Sequence, residues 1–173
     1  MSDKILIAYG TRYGATTEAA ATIQQILEKE FKLNVEVYTI KKGKKLPELE
    51  DFPHIIIGSG IKEGKWVKEA EEFLKNNDFG NRKVAVFISS GFAGEEDLYD
   101  YAREHFLDKV IEESGVEVIE KEAFGGRVPM LYIPQIHFYR ILRRLPRFQL
   151  DNRNWERIEQ FARKVGKKFT EED

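Results

Sequence analysis

The 173-residue chain contains no cysteine, which excludes a disulfide, a thiolate nucleophile and a cysteine-ligated iron–sulfur cluster on its own side chains. Its 28 Lys and Arg against 30 Asp and Glu give a formal net charge of −2, uninformative by itself, and no apolar run approaches the roughly 20 residues that span a bilayer. The opening MSDKILIAYG has no apolar segment ending in a small-residue cleavage site, so the expected location is cytoplasmic, and the length suits one domain over residues 1–173.

In chain order, apolar β-rich runs at 5–9, 34–40, 54–60, 83–89 and 116–124 alternate with helix-period stretches at 15–31, 65–76, 95–114 and 152–169. The first, third and fourth runs are almost continuously apolar, as in parallel strands buried on both faces, whereas the second and fifth alternate. The pattern predicts an α/β three-layer sandwich with a five-stranded parallel sheet in the order 2-1-3-4-5. Any ligand then lies beyond the carboxyl ends of strands one, three and four. Charge is segregated within this frame. Residues 95–122 carry eleven acidic side chains against three basic ones, while residues 127–149 carry five arginines and no acid. The connection from 125 to 154 is far longer than usual and rich in aromatic and aliphatic residues, which marks a functional insert at about 127–149. Within it residues 136–145 fit an amphipathic helix, with Phe138, Ile141, Leu142 and Leu145 opposite Arg140, Arg143 and Arg144.

Three turns fall at the ligand edge. After the first strand, Thr11, Arg12, Tyr13, Gly14, Ala15 and Thr16 put hydroxyls and backbone N–H groups where a helix begins, which favours an anion such as phosphate. The alternative is that Thr16 or Thr17 caps the helix and Gly14 turns the chain. The turn has neither the Gly-Lys-Ser/Thr of a nucleoside triphosphate loop nor the Gly-x-Gly-x-x-Gly of a dinucleotide fingerprint. The second turn, GSGIKEGKW, spans residues 58–66; there Trp66 could cover a planar ligand or belong to the core. The third, SSGFAGEED at 89–97, offers small residues and one aromatic, with Glu95, Glu96 and Asp97 complementing the following helix dipole. A response-regulator chemistry is excluded, since Tyr9-Gly10-Thr11 and Gly58-Ser59-Gly60 stand where its carboxylates belong. His54, His105 and His137 have no metal-ligand spacing and no nucleophile beside them, so no catalytic or metal-binding side chain is expected.

The stretch ILIAYGTRYGATTE resembles the phosphate-binding signature of flavodoxins, with Thr11, Gly14 and Thr16 on the signature positions. The resemblance implies non-covalent FMN, with Thr11, Arg12, Tyr13, Gly14, Ala15 and Thr16 around its phosphate. It places Ser59, Gly60, Ile61, Lys62, Glu63, Gly64 and Trp66 on one side of the flavin, Gly64 near the glycine whose peptide responds to flavin N5. Ser89, Ser90, Gly91, Phe92, Ala93 and Gly94 fall on the other side, Phe92 being the candidate for stacking. Arg12 departs from small flavodoxins, and its guanidinium could bond the phosphate or point to water. The segment order and long insert are also similar to the menaquinone-dependent protoporphyrinogen oxidases, a flavodoxin-like branch.

Three functions are therefore open: an FMN-binding redox protein serving a protein partner, an FMN-dependent protoporphyrinogen oxidase using porphyrinogen and quinone, and a flavin-free interaction module. A peripheral membrane contact through Arg140, Arg143 and Arg144 is a further expectation, and no nucleic-acid partner is expected.

Overall fold

The computed structural model describes residues 4–127 and 151–171. The helix expected at 136–145, with its arginines and His137, lies outside the described residues.

Five parallel strands form the sheet: β1 (Lys4–Gly10), β2 (Asn34–Thr39), β3 (His54–Lys62), β5 (Lys83–Ser89) and β6 (Glu120–Phe124), in the spatial order β2-β1-β3-β5-β6. This is the expected order, with one addition. A two-residue strand, β4 (Lys65–Trp66), pairs antiparallel with the end of β3 through Ile61–Trp66 and Lys62–Lys65. The helices are α1 (Ala15–Phe31), α2 (Lys68–Asn76), a continuous stretch α3 over residues 99–114, and α4 (Trp155–Thr170).

Strand parity explains the three layers, because successive side chains point to opposite faces. Ile5, Ile7, Ile56, Ala85 and Phe87 pack with Ile23, Leu27, Phe161 and Val165 under α1 and α4. Leu6, Ala8, Ile55, Ile57, Val84 and Val86 pack with Ala70, Phe73, Leu74 and Leu107 under α2 and α3. Both faces of the central strands are buried, which is why they read as unbroken apolar runs. α1 ends where Lys32 enters the left-handed region at φ 57° and its N–H bonds Leu27 O, a six-to-one closure, with Leu33 N–H reaching the same oxygen at 3.2 Å. α4 begins at Asn154, whose side chain accepts the Arg157 N–H at 3.0 Å.

Three expected boundaries are corrected. Residues 65 and 66 are strand rather than helix, because Glu63 at φ 54° and Gly64 at φ 76° form a two-residue turn of the kind that closes a twisted hairpin. The stretch expected as one helix from 95 opens with a short 3-10 turn, Glu96–Leu98, preceded by another at Phe92–Gly94, and carries a π segment at Arg103–Asp108. The last strand begins at Glu120 rather than 116; before it, only Ile119 N–H reaches the sheet, bonding Val84 O at 2.8 Å. Among the described residues no helix is long and apolar enough to cross a membrane.

Candidate flavin site at the carboxyl edge of the sheet

The first turn is organised by its own side chain. Thr11 Oγ1 accepts the Gly14 N–H at 3.0 Å, and Gly14 takes φ 87° as the residue before α1, a conformation that costs glycine little. Neither Thr16 nor Thr17 caps the helix. The first α1 bond runs from Glu18 N–H to Gly14 O at 3.2 Å, so the N–H groups of Ala15, Thr16 and Thr17 have no intrahelical acceptor. They share the positive end of a 17-residue helix.

The second turn touches the first. A Cβ on Gly60 would stand 3.1 Å from Thr16 Oγ1 and 3.9 Å from Arg12 N, so the absent side chain keeps the space beside the phosphate-type loop open. Thr16 itself is buried. Ser59 points to the opposite face, where Oγ accepts the Val67 N–H at 2.9 Å and donates to Gly60 O at 2.9 Å, bracing the entry to α2. Ile61 is half-buried; Lys62, Glu63 and Gly64 form the exposed hairpin tip. Of the two readings open for Trp66, the structure shows the core one: its side chain is buried and its indole N–H donates to Phe106 O at 2.5 Å.

The third turn sits alongside. Ser89 is the register partner of Gly60 on β3 and of Phe124 on β6, and parity puts its side chain on the α1 face. Its buried Oγ has no hydrogen-bond partner among the described residues. An orphaned hydroxyl inside a protein is costly, and this one lies next to Gly60 and the open start of α1. Ser90 Oγ accepts the Phe92 N–H at 3.2 Å, while Ser90 N–H donates to Phe124 O at 2.9 Å. Phe92 is half-buried against Phe106 and Tyr101, with ring centroids 5.9 and 6.3 Å away. Phe106 also faces the hairpin tip, because a Cβ on Gly64 would stand 3.3 Å from its ring. The three predicted turns are thus brought to one edge, Gly60 joining the first two and Phe106 the last two.

Several contributors carry no sequence signal. Arg12 neither points freely to water nor stands unpaired: Nη2 meets Glu69 Oε2 at 3.2 Å, near the start of α2. The Glu69 carboxyl is held below its usual pKa, first by its own backbone N–H and then by Arg12. On the other flank Arg153 pairs with Asp151 and with Glu18 in the first turn of α1. Both arginines near the loop are neutralised by carboxylates. What the loop offers outward is therefore N–H groups and hydroxyls rather than net positive charge. Behind the third turn, Tyr99 donates to Glu122 and accepts from Arg103 at 3.0 Å, and Arg157 stacks on its ring at 4.2 Å. Burial, and then the Glu122 carboxylate, push the Tyr99 hydroxyl above its usual pKa and keep it a donor. His54, at the amino end of β3, stacks on Phe169 at 4.5 Å, whereas His105 stacks at 4.1 Å on Tyr101, whose ring lies 6.3 Å from Phe92 of the third turn.

A doubly wound parallel sheet with a phosphate-type turn at the carboxyl end of its first strand defines the flavodoxin class of architecture. The chain belongs to the flavodoxin domain family, whose model matches residues 6–135. Among solved structures it is similar to oxidised flavodoxin 2 from Bacillus cereus, at 26% identity over 96% of this chain and 99% of that one, with a TM-score of 0.59. Oxidised flavodoxin 1 from Bacillus cereus aligns at 18% identity over 95% and 98% of the chains, TM-score 0.60. A Fusobacterium nucleatum flavodoxin variant bound to flavin mononucleotide aligns at 16% over 97% and 98%, TM-score 0.54. A search of curated proteins returns no match.

Proposed function

We propose that the protein is a redox carrier that binds FMN non-covalently at this edge and exchanges electrons with a protein partner. The observation that carries the reading is the conjunction at one edge of three first-turn N–H groups and a buried Ser89 hydroxyl, all without partners among the described residues, with the space beside Gly60. These fit a phosphate with a polyhydroxyl chain behind it. The structural neighbours, flavodoxins of which one is bound to FMN, support the same assignment.

Bound FMN would supply the one- and two-electron chemistry, which this chain's side chains lack. Thr11, Thr16 and the N–H groups of residues 15–17 would bind the phosphate, and Ser89 Oγ would meet the sugar-alcohol chain. The hairpin tip at Gly64 and the turn at Phe92 would flank the ring and exclude water. Exposed Glu96, Asp97, Asp100 and Glu104 share the stretch after that turn with the exposed Tyr101. Their negative field would lower the cofactor's reduction potential and attract a basic partner surface. The features that set the protoporphyrinogen oxidase branch apart fall at 127–149, of which only Arg127 is among the described residues.

The test is a titration of the purified protein with FMN and with riboflavin, followed by absorbance and flavin fluorescence. One FMN per chain, and much weaker riboflavin binding, is the expected result. Binding of neither removes the flavin reading and leaves an interaction module. Turnover of a porphyrinogen with a quinone by the FMN-loaded protein would replace the carrier with the oxidase.

Ser89→Ala gives a second readout with opposite signs. Removing a buried unpaired hydroxyl should raise the stability of the apo-protein by about 1 kcal/mol while FMN binds several-fold more weakly. Urea unfolding of the apo-protein beside an FMN titration checks both signs.

A further inference from the structure

We propose that Asn152 is a positioning residue of this site: its side-chain amide locks the turn at residues 91–95 onto the end of β6 and so sets how tightly the flavin is held. The proposal rests on the flavin reading above.

Asn152 lies 61 residues from Gly91 in sequence, yet its Nδ2 donates to Gly91 O at 2.7 Å and to Glu95 Oε1 at 2.9 Å. Its Oδ1 accepts the Gly126 N–H at 3.0 Å, and its backbone N–H donates to Gly126 O at 3.1 Å. Both amide hydrogens and an oxygen lone pair are spent inside the protein. The residue therefore acts through the turn it holds.

The surroundings are cut to fit this amide. A Cβ on Gly94 would stand 2.1 Å from Asn152 Cγ, and a Cβ on Gly125 would stand 2.0 Å from Asn152 O. Glycine at both positions is what lets the side chain lie between the third turn and β6. The next residue extends the lock across the site. Arg153 joins Asp151 to Glu18 in the first turn of α1, the same turn that offers the open N–H groups. Residues 152 and 153 together tie two walls of the candidate site to one short segment. Ahead of them, Arg127 and Asp151 form an antiparallel bridge at the base of the connection between β6 and α4. Without the amide, the 91–95 turn would keep the Ser90 N–H bond to Phe124 O but lose its side-chain tether to the Gly126 backbone.

The experiment compares apo-protein of wild type, Asn152→Ala, Asn152→Asp, Gly94→Ala and the Asn152→Ala/Gly94→Ala pair. FMN and riboflavin dissociation constants come from flavin fluorescence quenching, and thermal unfolding of each apo-protein is followed in parallel. Asn152→Ala should weaken both flavins by the same factor, about tenfold, because the turn faces the ring end and not the phosphate. Asn152→Asp keeps the acceptor for Gly126 N–H, loses the donor to Gly91 O and faces Glu95, so its affinity should fall at least as far. Gly94→Ala must displace the amide and should weaken binding alone, yet cost nothing further once Asn152 is truncated. Affinities within twofold of wild type for both Asn152 variants overturn the proposal. So does Gly94→Ala being equally harmful with and without the amide, or both Asn152 variants failing to fold, which would make the residue a purely structural one. A wild-type protein that binds no flavin removes the underlying reading instead, whereas a binding wild type with unchanged variants removes this proposal alone.

Discussion

Replacing Thr11 and Thr16 together with alanine should weaken FMN binding about a hundredfold or more. Each hydroxyl stands to bond a doubly charged phosphate, and a hydrogen bond to a charged group contributes about 1.5–3 kcal/mol, with tenfold in affinity for every 1.4 kcal/mol. Thr11 has a second job. Its Oγ1 holds the Gly14 N–H at 3.0 Å and so shapes the turn before a ligand arrives, which reduces the ordering cost of binding. Riboflavin, which lacks the phosphate, should bind the double variant as it binds wild type. Apo-protein stability should fall by about 1–2 kcal/mol, mostly from truncating the buried Thr16, since Thr11 is half-buried and its loss leaves one N–H at an already open helix start. An unchanged FMN affinity would show that the turn is only a helix entry.

Phe87→Ala is expected to be the most damaging single truncation for the fold, at about 3–5 kcal/mol. The ring is fully buried on the central strand β5, 5.3 Å from Phe124 and 6.1 Å from Phe161 between ring centroids. It also fills the space left by Gly58, where a Cβ would stand 2.3 Å from its Cζ. Truncation would open a cavity bounded by Gly58, Phe124 and Phe161. Against a total stability of about 5–15 kcal/mol this is a large fraction. Urea unfolding of the apo-protein should show it as a lowered midpoint with an unchanged slope. Two residues along the strand sits Ser89, so FMN affinity should fall as well. A loss under about 1 kcal/mol would mean that the layer under α1 and α4 closes over the space this ring fills.

The sheet was legible in the sequence because burial on both faces leaves an unmistakable apolar run at 54–60 and at 83–89, and because the short turns restrict the topology. The first turn was legible for a local reason: Thr11 and Gly14 interact within four residues. Trp66 shows where such reading stops. Its sequence neighbours allow helix or strand, ligand face or core, and only Phe106, 40 residues away, decides that its indole N–H is already used. Arg12 is similar, since nothing near it in sequence points to Glu69.

By itself, then, the sequence determined the order of layers, the absence of cysteine chemistry and an anion-friendly turn after the first strand. These depend on composition and on periodicities of two and 3.6, which act over a few residues. Tertiary structure alone decided that Ser89 is buried beside Gly60 without a partner among the described residues, that both nearby arginines are neutralised, and that Asn152 closes the third turn. Those facts depend on which distant groups share a dielectric and a hydrogen bond. No local pattern encodes such pairings, because each is fixed only when the strands have paired and the helices have docked.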